Sequence, residues 1–133
     1  MEETLALIKP DAVKRNIIGK ILLLIEEDGF TIKKIKMMKM TEEVAKQFYS
    51  VHSKKPFYTK LIEYMTSGSI VALILEKDNA VVAYRQLIGS TNPEEAEDNT
   101  IRKLYAIDQS HNSVHGSDSV VNARNEISII FNE

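Results

Sequence analysis

The segment Asn112-Ser113-Val114-His115-Gly116-Ser117-Asp118-Ser119 holds the residues whose types and spacing best suit chemistry. It reads as a short strand, Val114 to Ser117, passing into a helix capped by Asp118 or Ser119. The histidine then stands at a strand end, with glycine keeping the space beside it free. Neutral imidazole is a competent nucleophile near pH 7 and accepts a phosphoryl group covalently, which splits one transfer into two simpler steps. Glu126, on the helix that follows, is the carboxylate placed to orient the other ring nitrogen. An isolated His-Gly pair is more often a helix start with a histidine in passing, and only the longer string shifts the weight towards chemistry.

Phosphate chemistry needs donors. The chain contains neither Gly-x-x-x-x-Gly-Lys-[Ser/Thr] nor Gly-x-Gly-x-x-Gly, so backbone cradling of the usual kind is missing. Side chains must neutralise any phosphate, and Lys9, Arg85, Thr91 and Arg102 are the candidates, each at an element end or in a long loop. Arginine is favoured for bidentate contacts to oxygen. Taken singly, each is commonly a solvated surface charge. Phe57, just after Pro56, is placed to stack on a base or equally to fill a core.

Composition bounds what these residues can serve. A chain of 133 residues, 44% apolar, suits one domain spanning residues 1–133. A formal net charge of -2 argues against nucleic acid or an anionic membrane as the main partner, so any basic site is local. With no cysteine, disulfides and thiolate chemistry are excluded, in keeping with a reducing compartment; the expected location is cytoplasmic. Met1-Glu2-Glu3 has the wrong charge for a secretory signal, and the apolar run Ile21 to Ile25 is far too short to cross a membrane.

The elements that must position these residues follow from periodicity. Thr4 to Lys9 reads as a buried strand ended by Pro10. Asp11 to Asp28 has helical spacing interrupted at Gly19 and stopped at Gly29. Thr31 to Met40 reads as a strand with one wet face, carrying Lys33, Lys34, Lys36 and Lys39, and its imperfect alternation predicts a bulge. Thr41 caps a helix that runs to about Ser50, with Glu42 and Glu43 in its first turn. Phe57 to Thr66 is helical, Ile70 to Leu75 a buried strand, and Asn79 to Ile88 a helix closed by Gly89. Ser90 to Asn112 is a long polar segment, of a kind seldom kept without a use. Ser119 to Phe131 is the last helix. His52 and His111 are expected to be exposed loop residues. This order suits an α+β sandwich with an antiparallel sheet.

The string Asn112-x-x-His115-Gly116-Ser117-Asp118-Ser119 resembles the active-site signature of nucleoside diphosphate kinases. The resemblance extends over nearly the whole chain, through Ile8-Lys9-Pro10-Asp11-Ala12-Val13, Tyr49, Pro56-Phe57, Tyr64-Met65-x-Ser67-Gly68, Arg85, Gly89-x-Thr91-Asn92-Pro93 and Thr100-Ile101-Arg102. It implies that His115 is phosphorylated, Glu126 orients it, and Tyr49 and Ser117 line the same pocket. Lys9, Arg85, Thr91 and Arg102 would bind phosphates, Lys9 and Asn112 would also contact the sugar, and Phe57 would pack on the base. It further implies a ferredoxin-like sandwich with a four-stranded antiparallel sheet and ping-pong transfer of the γ-phosphate of ATP or another triphosphate to a nucleoside diphosphate. Homo-oligomers, tetramers or hexamers, are implied too. Magnesium would ride on the nucleotide, since a divalent ion bridging phosphate oxygens offsets charge that the cationic side chains cannot cancel alone. No dedicated protein cage for a metal is expected. Asp118 could hold a metal-bound water, with a helix-cap role the stronger expectation.

Two departures from the resemblance stand out. Ser69 replaces the usual proline after Ser67-Gly68, and Asn99 replaces the usual glycine before Thr100; asparagine tolerates a left-handed backbone. Two rival functions remain: a binding protein of the same fold without catalysis, and a phosphocarrier that passes the group from His115 to another protein.

Overall fold

A computed structural model describes residues 1–132. Strand β1 (Glu2–Ile8) is the centre of the molecule, with Leu5, Ala6, Leu7 and Ile8 all fully buried. Each such side chain taken from water contributes about 1.5–3 kcal/mol, except the smaller alanine. Pro10, which has no N–H to continue the ladder, instead opens helix α1 (Pro10–Lys14). The chain reverses at Asn16, whose φ is 61, before helix α2 (Ile18–Glu27). The helical stretch is thus in two pieces, broken three residues earlier than the glycine suggested: Gly19 sits inside α2. Asparagine supplies the left-handed residue that the corner needs.

Strand β2 (Thr31–Met38) follows, with the expected bulge between Ile32 and Lys34. Helix α3 (Glu42–Phe48) is capped by Thr41, whose hydroxyl accepts from Val44 N at 3.1 Å. A single 3-10 turn (Ser50–His52) leads to helix α4 (Tyr58–Met65), strand β3 (Ile70–Lys77) and helix α5 (Ala80–Ile88). The long polar segment contains a short helix, α6 (Ile101–Tyr105), that periodicity did not reveal. Thr100 caps it by accepting from Lys103 N, and Asn99 before it takes φ 67, the left-handed backbone expected of that position. Strand β4 (Val114–Gly116) and helix α7 (Val120–Phe131) complete the chain. Ser119, not Asp118, caps α7: its hydroxyl accepts from Asn122 N at 3.0 Å, while Asp118 Oδ1 accepts from the Asn122 side chain.

The sheet order is β2-β3-β1-β4, antiparallel throughout. With α2 and α5 as the crossovers, this is the ferredoxin-like arrangement expected. Alternation along β1 divides the core in two. Ala6 and Ile8 pack with Ile21 and Ile25 of α2 and Tyr84 and Ile88 of α5, whereas Leu5 and Leu7 pack with Phe48, Met65 and Ile127. On β2, the exposed positions include Ile35 and Met37 beside lysines, so that face is not the purely wet one expected, and Lys36 is half-buried with Nζ donating to Ile130 O at 2.6 Å.

Gly116 matters to this packing because the Tyr84 ring lies against its backbone; a Cβ there would stand 2.7 Å from Tyr84 Cδ2 and 3.2 Å from Ile88 Cδ1. Gly116→Ala should lower the unfolding free energy by about 1–3 kcal/mol through overpacking, read as a reduced midpoint in urea; an unchanged midpoint would show that the ring yields freely.

Candidate active site

His115 occupies the middle of β4 and pairs with Leu7, so its side chain lies on the sheet face covered by α3 and α7. Helix α7 begins five residues later and carries Glu126 back over the same face. The result is a hydrogen bond of 2.8 Å between His115 Nε2 and Glu126 Oε1. Ser117 Oγ donates to the same carboxylate oxygen at 2.7 Å. An ionised carboxylate only accepts, so Nε2 carries the proton and Nδ1 keeps its lone pair. Phe48 holds the ring from the side, edge-on with centroids 5.1 Å apart. Phe48 escaped the reading of the sequence because its α3 neighbours mark it only as a core aromatic.

Three cations converge on the segment from residue 112 to 116 that carries the histidine. Arg102 donates from Nη2 to Val114 O and from Nη1 to Gly89 O, both at 2.9 Å. Arg85 Nη1 reaches Gly116 O at 3.3 Å, and Lys9 Nζ donates to Asn112 Oδ1 at 2.8 Å. Their partners thus lie on both sides of residue 115, one residue away for each arginine. All of these hydrogen-bond partners are neutral, so the positive charge is held in place without direct pairing to a carboxylate. Burial, with the nearby Arg102 second and Asp11 opposing, pulls the Lys9 ammonium down to about 7. Burial likewise lowers Arg102 to about 10, which leaves it cationic at neutral pH.

Other expected residues fall around this centre. Tyr49 is buried, its hydroxyl without a partner, and burial together with the Glu126 carboxylate keeps the phenol firmly protonated. A row of rings leads outward from it: Tyr49 stacks on His52 at 6.4 Å, and His52 lies 5.6 Å from Phe57. Phe57 is 47% exposed at the row's outer end, which favours a stacking surface over a core aromatic. His52 is half-buried in this row, contrary to the exposed position expected, because the 3-10 turn after α3 swings it against Tyr49. Burial, with Lys55 beside it, lowers its proton affinity. Thr91 is exposed in the loop just past Gly89, whose carbonyl Arg102 holds. His111 is exposed as expected, with Nδ1 3.2 Å from Asp108 Oδ1.

Among the described residues no group of three or more His, Asp or Glu side chains could hold a metal ion. The donors around His115 are instead ammonium, guanidinium, amide and hydroxyl, a set that complements anionic oxygens. Two shallow depressions elsewhere, one along Thr41 to Lys46 and one beside Asp28 and Asn99, have no comparable convergence.

Lys9 offers a direct check on the electrostatics. Its folded value lies below its ordinary 10.5, so from pH about 7 upward to 10.5 the unfolded chain binds the extra proton and stability rises with pH. Lys9→Met should therefore stabilise the fold near pH 7 by roughly 1–3 kcal/mol, as expected when a buried charge gives way to apolar volume. The gain should shrink as the pH approaches 10.5. Denaturation midpoints across that range test it; a destabilised variant at pH 7 contradicts the assignment of burial as the dominant cause.

Comparison with known proteins places this geometry in context. A family profile described as nucleoside diphosphate kinase matches residues 2–133. The chain is 53% identical over 133 residues to a nucleoside diphosphate kinase of Histophilus somni (strain 2336), covering 100% of this chain and 94% of that protein. It is 53% identical over 132 residues to one from Lawsonia intracellularis, covering 99% and 96%. Among solved structures, it superposes on the Aquifex aeolicus nucleoside diphosphate kinase with a TM-score of 0.96 at 43% identity, covering 98% of this chain and 94% of that one. On a crystal structure of the Encephalitozoon cuniculi nucleoside diphosphate kinase the TM-score is 0.97 at 39% identity, covering 100% and 90%.

Proposed function

The chain belongs to the nucleoside diphosphate kinase family of nucleotide phosphotransferases, and on that premise we propose how its own residues divide the work. One observation carries the assignment: Nε2 of His115 is taken by Glu126, while three cations are tethered to residues 112, 114 and 116 on either side of it. The nucleophile is Nδ1. Its lone pair attacks the terminal phosphorus of a nucleoside triphosphate, the bond from phosphorus to the bridging oxygen breaks, and the diphosphate leaves with that electron pair. In the second half, a terminal oxygen of another nucleoside diphosphate attacks the phosphohistidine, the P–N bond breaks, and the ring regains its lone pair. Glu126, steadied by Ser117, stabilises the positive charge the ring carries in between. Tyr49 closes the inner wall beside that pair.

Lys9, Arg85, Thr91 and Arg102 bind the phosphates, and Lys9 and Asn112 also meet the sugar. Phe57 offers its face to the base, and stacking on a face tolerates every base. The phosphates draw Lys9 fully into its ammonium form, since an adjacent anion favours the charged state. Magnesium, carried on the nucleotide phosphates, would offset part of their charge, and the exposed Asp118 is the carboxylate beside the histidine that would hold a metal-bound water. The protein acts as one domain over residues 1–133, in the cytoplasm, with nucleoside di- and triphosphates as partners; nucleic acid and membrane play no part in this reading. Identical subunits associate as a tetramer or hexamer, a reading supported by β2 at the sheet margin, where Ile35 and Met37 are 50% and 59% exposed. Sedimentation should return several times the 15.1 kDa chain mass, and a monomer would end that proposal.

Incubation with γ-labelled ATP should yield an acid-labile phosphoprotein that GDP then discharges as labelled GTP. His115→Ala should give neither. Glu126→Gln should slow labelling by about tenfold to a hundredfold, the usual cost of losing a residue that orients a reactive histidine. Binding without labelling would favour a catalytically silent protein, and labelling that GDP cannot discharge would favour a phosphocarrier.

A further inference from the structure

Asp11 is a buried carboxylate to which the proposed reaction gives no part. It lies in α1 two residues after Lys9, its side chain 5% exposed. Oδ2 accepts from Ser113 Oγ at 2.9 Å, Oδ1 accepts from the Tyr64 hydroxyl, and Arg15 Nη2 lies 3.6 Å from Oδ2. Arg15 Nη2 also donates to Ser113 Oγ at 3.1 Å, so that hydroxyl is engaged from both sides. Ser113 is fully buried and held at φ 72, a left-handed backbone that a serine seldom adopts. Its carbonyl accepts Lys9 N at 2.8 Å, and its preceding neighbour, Asn112, accepts Lys9 Nζ at 2.8 Å.

We propose that Asp11 is a positioning residue for nucleotide binding: by gripping the Ser113 hydroxyl it holds the left-handed turn that sets Asn112 against Lys9. The physical ground is that the turn's backbone is unfavourable in isolation and persists where surrounding contacts over-determine it. The hydroxyl of Ser113 is the side-chain atom through which those contacts act. Released from Asp11, residue 113 relaxes towards the extended region, Asn112 swings away, and Lys9 Nζ loses its tether. His115 is less affected, because its place is set by the β1–β4 ladder and by Glu126. Asp11 also acts on Lys9 through charge, favouring the ammonium form against burial and Arg102.

The inference rests on the assignment of Lys9 and Asn112 as nucleotide contacts, and the test separates the two. Steady-state exchange would be measured for Asp11→Asn, Ser113→Ala, Ser113→Gly and Asn112→Ala, alongside labelling of His115 by phosphoramidate, a donor with neither sugar nor base. Asp11→Asn and Ser113→Ala should raise the KM for the nucleoside diphosphate tenfold or more, with kcat within threefold and phosphoramidate labelling within twofold of the parent. Ser113→Gly, for which the left-handed turn is unstrained, should recover part of the lost affinity. If Ser113→Ala does not fold, Asp11→Asn carries the same test. An ordinary KM in Asp11→Asn beside a raised KM in Asn112→Ala overturns the inference alone. So does a parallel fall in nucleotide exchange and phosphoramidate labelling, which is the mark of general structural damage, or a glycine variant no better than alanine. An ordinary KM in Asn112→Ala overturns the underlying assignment and the inference with it.

Discussion

The hydrogen bond between His115 Nε2 and Glu126 Oε1 decides which nitrogen of the ring is left with a lone pair, and it depends on β4 and α7 bringing those two atoms to 2.8 Å. Strand β4 is only three residues long, yet its ladder with β1 fixes the histidine backbone in the sheet, because Ala6, Leu7 and Ile8 are themselves immobilised in the core. Helix α7 returns over that face and delivers Glu126. Ser117, fully buried between them, ties Glu126 to the strand by donating to its carboxylate at 2.7 Å. Phe48 then leaves the ring one edge-on contact instead of free rotation. A side chain in such a position has been preorganised before any ligand arrives.

The cations around this centre are arranged differently. Each is held by neutral oxygen atoms on the segment from 112 to 116 or on Gly89, so geometry is fixed while charge remains to be satisfied. That arrangement has an energetic cost, visible in the lowered proton affinities of Lys9 and Arg102, for which burial is the first cause. A phosphate chain would offset it. The buried Nε of Arg102 and the hydroxyl of Tyr49, both without partners, belong to the same pattern of polar groups left unsatisfied around the candidate site. A fold built only for stability would have bonded these cations directly to carboxylates or dispensed with them.

Most elements were legible because their signals are local. The apolar run from Leu5 to Ile8, the Thr41 cap with its acidic first turn, and the glycines at 29 and 89 are each read within a few residues. The misreadings share a cause. The break between α1 and α2 falls at Asn16 because the chain must turn there to lay α2 on the sheet, and spacing alone pointed to Gly19. Helix α6 is five residues long, too short to declare a period, and only its packing at Ile101 and Arg102 gives it a buried side. His52 looked like a loop residue until a 3-10 turn placed it between Tyr49 and Phe57.

What the sequence by itself determined was a family likeness strung along the chain in order, together with the candidate residues in their local order: a histidine followed by glycine, a serine and a helix start, and a later glutamate. Local order and residue type are sufficient for that. Only the tertiary structure decided that Nε2 is the occupied nitrogen, that Phe48 braces the ring, and that Asp11, Tyr64 and Ser113 are joined beneath Lys9. These relations span separations of up to 102 residues, as between Asp11 and Ser113, and no periodicity carries information across such a distance. They arise when two helix layers close on one sheet, because only then do residues remote in the chain share a buried environment in which every polar group must find a partner.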